Sequence, residues 1–222
     1  MNTPSIVHLA ENSPSASRAL TTGRAYPLGE ASRPDRAHGT AAIIRYLDVE
    51  KSARYQAARG QTFCNIYACD YCYLAGAYLP RVWWTTRALT DIAAGRSVPV
   101  KYAESVAELD ANSLYTWLRD FGACFGWTLA SSLDELQAAA NAGQVCVISA
   151  RRVVPQLPGH IAVVAPESTP PMVAEKTASG IRVPLQSQAG RLNYCFSCAP
   201  GRWWESPKFA AFGFWIHAGK QI

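Results

Sequence analysis

Cys64-Asn65-Ile66-Tyr67-Ala68-Cys69-Asp70-Tyr71-Cys72-Tyr73-Leu74-Ala75 is apolar on most sides and closes at Gly76. A helix that is apolar nearly all round belongs inside a protein, so this run predicts a buried central helix. The break Gly60-Gln61-Thr62 precedes it, with Thr62 placed to cap it and the Cys64 sulfur in its first turn. Backbone N–H groups there lack intrahelical partners and carry the positive end of the helix dipole. Both favour a thiolate, the nucleophilic form that a free thiol of pKa about 8.5 hardly populates at neutral pH.

Outward from this helix, Thr40 to Arg59 carries Ile43, Ile44, Leu47 and Tyr55 and predicts a helix stopping at Gly60. Residues 1–38, rich in Ser, Pro, Ala, Thr and Arg, read as a mobile N-terminal arm, leaving 39–222 as one domain. Tyr78 to Trp84 holds Pro80 and paired tryptophans and reads as a loop or short strand. Short helices are expected at 86–94 and 103–109, and another from Leu114 to Phe121 capped at Asn112-Ser113. Ser131 and Ser132 stand at capping-box spacing from Asp134 and Glu135, starting a helix that ends near Gly143. Strands follow at Val145–Ser149, Ile161–Ala165, Val173-Ala174, Ile181–Gln188 and Phe212–His217. Helices first and strands later predict an α+β architecture with an antiparallel sheet.

His160 enters the otherwise apolar strand Ile161-Ala162-Val163-Val164-Ala165 directly after Gly159. An imidazole at the mouth of a buried strand is the partner a cysteine nucleophile needs. Of the other histidines, His8 and His38 fall in the arm, and His217 on the last strand is the only competitor as base. If the strand from His160 turns back through 166–180 into 181–188, His160 lies near Gln186 to Gln188. Alternation then puts both amides on one face. Either could orient the ring, and Gln188, at the strand end before Ala189-Gly190, is preferred.

The bulk numbers fit this reading. At 222 residues, 49% apolar and 17% charged, the chain is long enough for one well-buried domain. Its net charge of +5 comes from scattered Arg without a dense run, which suits an anionic partner but argues against nucleic acid. No run approaches 18 apolar residues, so no membrane span is expected. No apolar run follows a basic segment at the start, so a protein without a secretory signal peptide, made in the cytoplasm, is expected.

Cys-Asn opening a buried helix, Gly-His before an apolar strand and a polar residue on the next strand resemble the papain-like cell-wall hydrolases, the CHAP and NlpC-type amidases and endopeptidases. The likeness runs from about Tyr55 to Gly190. It implies a papain-like fold, with the nucleophile on a buried helix packed on an antiparallel sheet. Cys64 would be the nucleophile, His160 the general base and Gln188 the orienting residue. The NlpC-type branch also places a tyrosine upstream, near the reacting carbonyl, and Tyr55 stands there. Asn65, Gln186 and Trp84 complete the candidate substrate contacts; Trp83, Trp203 and Trp204 are further candidates to wall a cleft. This chain departs from the family in lacking an Asp-Cys-Ser-Gly run and in the length of 78–130. The implied reaction is cleavage of an amide in the peptidoglycan stem peptide, with no metal and no cofactor.

Peptidoglycan lies outside the cytoplasm, so two settings fit. One is a phage endolysin; the other, preferred for a compact domain without wall-binding repeats, is an antibacterial effector injected by a type VI machine. The second implies a secretion-apparatus partner and a cognate immunity protein that plugs the cleft. Two other readings stand beside it. Cys69-x2-Cys72 and Cys195-x2-Cys198 together resemble a four-thiolate zinc pattern, the mark of a zinc-stabilised binding module without catalysis. The same Cys and His could also serve a papain-like deamidase or transglutaminase acting on protein.

Overall fold

The computed structural model describes residues 4–10, 13 and 36–218. Numbered in chain order, the helices are α1 (Arg36–Leu47), α2 (Cys64–Leu74), α3 (Thr86–Ala93), α4 (Ala111–Asp120) and α5 (Leu133–Asn141). The strands are β1 (Val82–Trp84), β2 (Val106–Glu108), β3 (Trp127–Leu129), β4 (Val145–Arg152) and β5 (His160–Val164), then β6 (Glu175–Thr177), β7 (Gly180–Val183), β8 (Gln186–Gln188), β9 (Tyr194–Ser197) and β10 (Phe209–His217). The chain is α+β. A six-stranded sheet in the order β3-β10-β4-β5-β8-β9 is antiparallel throughout. No helix among the described residues is long and apolar enough to cross a membrane.

Alternation along β4 and β5 builds two cores. Val145, Val147, Ile161 and Val163 face α1, α2 and α4, whereas Cys146, Ile148, Ala150 and Val164 face α5 and Trp204. Side chains two apart share a face, so one apolar strand feeds both layers. Gln137 of α5, almost fully buried, joins the layers: its Nε2 donates to the Ala165 carbonyl at 2.9 Å and its Oε1 accepts from the Leu185 N–H at 2.9 Å.

The central helix forms as the run from Cys64 predicts, and burial extends around it from Cys64 to Cys72. Its cap differs from expectation. Phe63, not Thr62, is the N-cap residue, and no side chain caps the helix. Ahead of it, α1 ends at Leu47 instead of running to Arg59, because Asp48 turns left-handed (φ 44°) and the N–H groups of Lys51 and Ser52 fold back on its carbonyl. Tyr55 therefore reaches the core from a turn.

Three further elements differ for tertiary reasons. Residues 106–108, expected as helix, pair with the tryptophan strand (Trp83↔Ala107), after a turn with Ala103 left-handed at φ 64°. Pairing outweighs the weak helical preference of the segment. Asp110, not Asn112 or Ser113, caps α4, accepting from the Ser113 N–H at 2.8 Å. Pro184 splits 181–188 into β7, paired with β6, and β8, in the main sheet, since it offers no N–H to a ladder. A strand stands at Glu175–Thr177 in place of Val173-Ala174. The capping box at α5 forms: Ser132 accepts from the Glu135 N–H at 3.1 Å and Glu135 takes both Ser131 donors.

Of the segment read as a mobile arm, the described residues lie against the domain. Val7 is buried in the core, the Ser5 carbonyl accepts from Trp84 Nε1 at 2.9 Å, and Ser13 Oγ donates to Glu108 at 2.7 Å. Most of the remainder of 1–38 lies outside the described residues.

Asp70 fixes the approach to α2. Its buried carboxylate accepts from Arg54 Nε at 2.6 Å, Arg54 Nη2 at 3.1 Å and the Tyr55 hydroxyl at 2.9 Å. Removing one partner of a buried ion pair leaves the other charge uncompensated. Asp70→Ala is therefore expected to lower stability by about 3 kcal/mol, read as a reduced urea midpoint at unchanged slope. A change within about 0.5 kcal/mol, the range of an ordinary surface substitution, would show that the network carries nothing.

Candidate active site

Because Phe63 brings no capping oxygen, the first-turn N–H groups of α2 are not claimed by a cap. The backbone N–H groups of Ile161, Asn65 and Cys64 itself favour a thiolate on the Cys64 sulfur. α2 packs on β5 from the face that Ile161 and Val163 share, whereas His160, one position earlier, turns its ring by alternation to the other face, toward Gln188 and Trp203. Burial pushes the Cys64 thiol up, those three N–H groups pull it back, and the nearby Asp110 carboxylate adds to the rise.

Gln188 holds His160 as the hairpin argument requires. In the observed register Val163 faces Ser187 and Val164 faces Gln186, which keeps His160, Gln186 and Gln188 on one face. Gln188 Oε1 lies 2.5 Å from His160 Nε2, and Gln188 Nε2 donates to the Leu192 carbonyl at 3.2 Å. The second bond settles which end of the amide faces the ring. A carbonyl oxygen only accepts, so Nε2 carries the ring proton and Nδ1 holds the lone pair. Trp203 stands edge-on to the ring at 4.6 Å and donates its Nε1 to Gln186 Oε1 at 2.7 Å. Burial pushes the His160 imidazole down to about 4; the bond to Gln188 opposes this, and Lys208 and Arg152 add to the fall. Thiol raised and imidazole lowered, the resting pair is uncharged at neutral pH.

The loop that delivers His160 is held by a residue the sequence reading took for a helix cap. Asn112, buried at the start of α4, donates its Nδ2 to the carbonyls of Pro155 (3.2 Å) and Leu157 (2.9 Å), while its Oδ1 accepts from the Arg152 N–H (2.9 Å). One amide thus clasps both limbs of the β4–β5 hairpin. Gly159 is glycine because a Cβ there would lie 2.6 Å from both the Ala150 carbonyl and Asn112 Oδ1. Pro155, Pro158 and Gly159 announce a turn in the sequence; nothing local announces that an asparagine some forty positions earlier satisfies it.

The other predicted contacts are placed as follows. Tyr55 is fully buried with its hydroxyl on Asp70 and its ring edge-on to Tyr67 at 5.3 Å, a core position. Asn65 ties α2 to the loop before α4 through the Leu109 carbonyl at 3.1 Å. Gln186 is buried and bound to Trp203, so it supports the imidazole face indirectly. Trp84 is buried under the N-terminal segment, and Trp83 and Trp204 are core, which leaves Trp203 as the tryptophan beside His160. His217 is buried, paired with the Phe125 carbonyl at 2.9 Å and edge-on to Trp127.

The four cysteines of the zinc pattern do not gather. Cys69 and Cys72 point into the core from α2, and the Cys198 thiol donates to the Val173 carbonyl at 3.4 Å. Among the described residues no group of three or more His, Cys, Asp or Glu side chains forms a metal ligand set. No family model matches this chain, and no curated protein matches it.

The His160 assignment is checked by NMR titration of the imidazole. The ring is expected to remain the neutral Nε2–H tautomer down to a midpoint near 4. A midpoint at the ordinary 6 to 7 would mean a solvated ring without the Gln188 and Trp203 surroundings.

Proposed function

We propose that this protein is a papain-like cysteine hydrolase that cleaves an amide bond in the stem peptide of peptidoglycan. The observation that carries the reading is the joining of two remote elements. The helix that Cys64 opens packs on the strand that His160 opens, and the imidazole is oriented through Nε2 by Gln188. That arrangement leaves Nδ1 as the base, and the reading requires thiol and ring, which alternation sets on opposite faces of β5, to meet at the open head of the strand.

The uncharged resting pair sets the order of events. As the substrate carbonyl arrives, His160 Nδ1 takes the thiol proton and the sulfur bonds to the carbonyl carbon. The oxyanion that forms is met by the Cys64 backbone N–H. The imidazolium then protonates the amine as the C–N bond breaks, leaving a thioester on Cys64. Water, deprotonated by the same ring, attacks the thioester; the acid leaves and the thiol regains its proton. Gln188 keeps Nε2–H fixed throughout, so the ring exchanges protons through one nitrogen.

The net charge of +5 favours an acidic polymer such as the cell wall. Action on a competitor's wall after injection by a contact-dependent secretion machine accords with a compact catalytic domain, and an immunity protein would then cover Cys64 and His160.

Purified protein incubated with sacculi is expected to release stem-peptide fragments identified by mass. Cys64→Ala should abolish release. Gln188→Ala should cut it by roughly a hundredfold or more, as loss of an orienting partner does. Fragment release by Cys64→Ala, or none by the intact chain from sacculi of any stem type, would contradict the proposal.

A further inference from the structure

Lys208 and Arg152 rest on one aromatic ring. The Arg152 guanidinium lies 5.2 Å and the Lys208 ammonium 5.6 Å from the centroid of Phe209. Phe209 meets Trp203 edge-on at 5.6 Å, and Trp203 meets His160 at 4.6 Å. Two cations are thus fixed at the far side of the aromatic pair that walls the imidazole. The placement is built in. Phe209 faces Arg152 across the β10–β4 ladder, the Val153 N–H donates to the Lys208 carbonyl at 3.1 Å, and Arg152 Nε donates to the Pro158 carbonyl at 2.7 Å.

Among the described residues neither cation pairs with a carboxylate. Glu205, the acidic residue nearest in sequence to Lys208, is engaged by Arg202. Like charges brought together repel, and both also disfavour a charged His160. Two cations without a carboxylate partner on one aromatic ring beside the proposed base gain when an anion arrives.

We infer that Arg152 and Lys208, seated on Phe209, form a subsite for a carboxylate of the substrate on the side of the His160 imidazole that Trp203 walls. This rests on the hydrolase reading and deepens it: the stem peptide would be read by a free carboxylate, and its carboxamide counterpart refused. The guanidinium supplies paired N–H donors that match a carboxylate, and the ammonium adds a point charge. Trp203 and Phe209 supply a dry wall that strengthens both.

The test uses a muramyl tetrapeptide with free carboxylates and the same peptide with every carboxyl converted to carboxamide. Titration into the full chain carrying Cys64→Ala reads the subsite without catalysis. The carboxylate form should bind roughly tenfold tighter or more, as a charge-assisted hydrogen bond gives, and the difference should shrink toward one when Lys208→Gln is added. Arg152→Gln should act the same way, but its side chain also ties Pro158, so Lys208→Gln carries the decision. In the catalytically intact chain the ratio of kcat/KM for the two peptides should collapse in parallel. Discrimination in binding without cleavage of either peptide would leave the subsite standing and overturn the hydrolase reading. Cleavage of both peptides at equal kcat/KM, binding of neither, or discrimination that survives Lys208→Gln would overturn the subsite.

Discussion

The seat of α2 on β5 is the constraint from which the rest follows. A helix buried nearly all round must find a partner for its uncapped first turn, and here the turn meets the head of an apolar strand. The Ile161 N–H is among the backbone groups that favour a thiolate there. The residue before Ile161 opens the strand and turns its ring to the other face, where Gln188 and Trp203 hold it. Gly159 permits the approach, Asn112 holds the hairpin that leads to it, and Gln137 ties β5 to β8 so that Gln188 arrives opposite. The placing of these side chains is a consequence of packing decided elsewhere in the molecule.

Much of that was legible in the sequence because it depends on short-range pattern. The apolar run from Cys64 and the alternating partners of His160 carry their periodicity openly, and the hairpin argument needed only antiparallel return to bring Gln188 to the ring. What was not legible is long-range. Residues 106–108 look helical alone and become a strand because Trp83 and Trp84 offer an edge. Tyr55 sits at helical spacing from Leu47, yet it reaches Asp70 by way of a left-handed turn at Asp48. Asn112 reads as a cap and serves as a clasp, since a buried amide takes whichever partners the fold presents. Trp203 could not be told from its neighbours by composition; its contact with His160 exists only after β10 has paired with β4.

The electrostatics of the site favour neutrality. Burial acts on both partners, raising the thiol and lowering the imidazole, and the backbone N–H groups around the sulfur only partly offset it. Both groups are therefore uncharged at neutral pH. The two cations on Phe209 push in the same direction, because they discourage a resting imidazolium.

The most direct test of a working thiol–imidazole couple is the rate at which iodoacetamide alkylates Cys64 at pH 7, followed by mass mapping of all seven cysteines. Cys64 should be labelled ahead of the buried Cys69, Cys72 and Cys146, and His160→Ala should slow its labelling by roughly tenfold or more, general-base assistance being worth at least that. Labelling of Cys64 at an unchanged rate in His160→Ala would mean that sulfur and ring do no chemistry together.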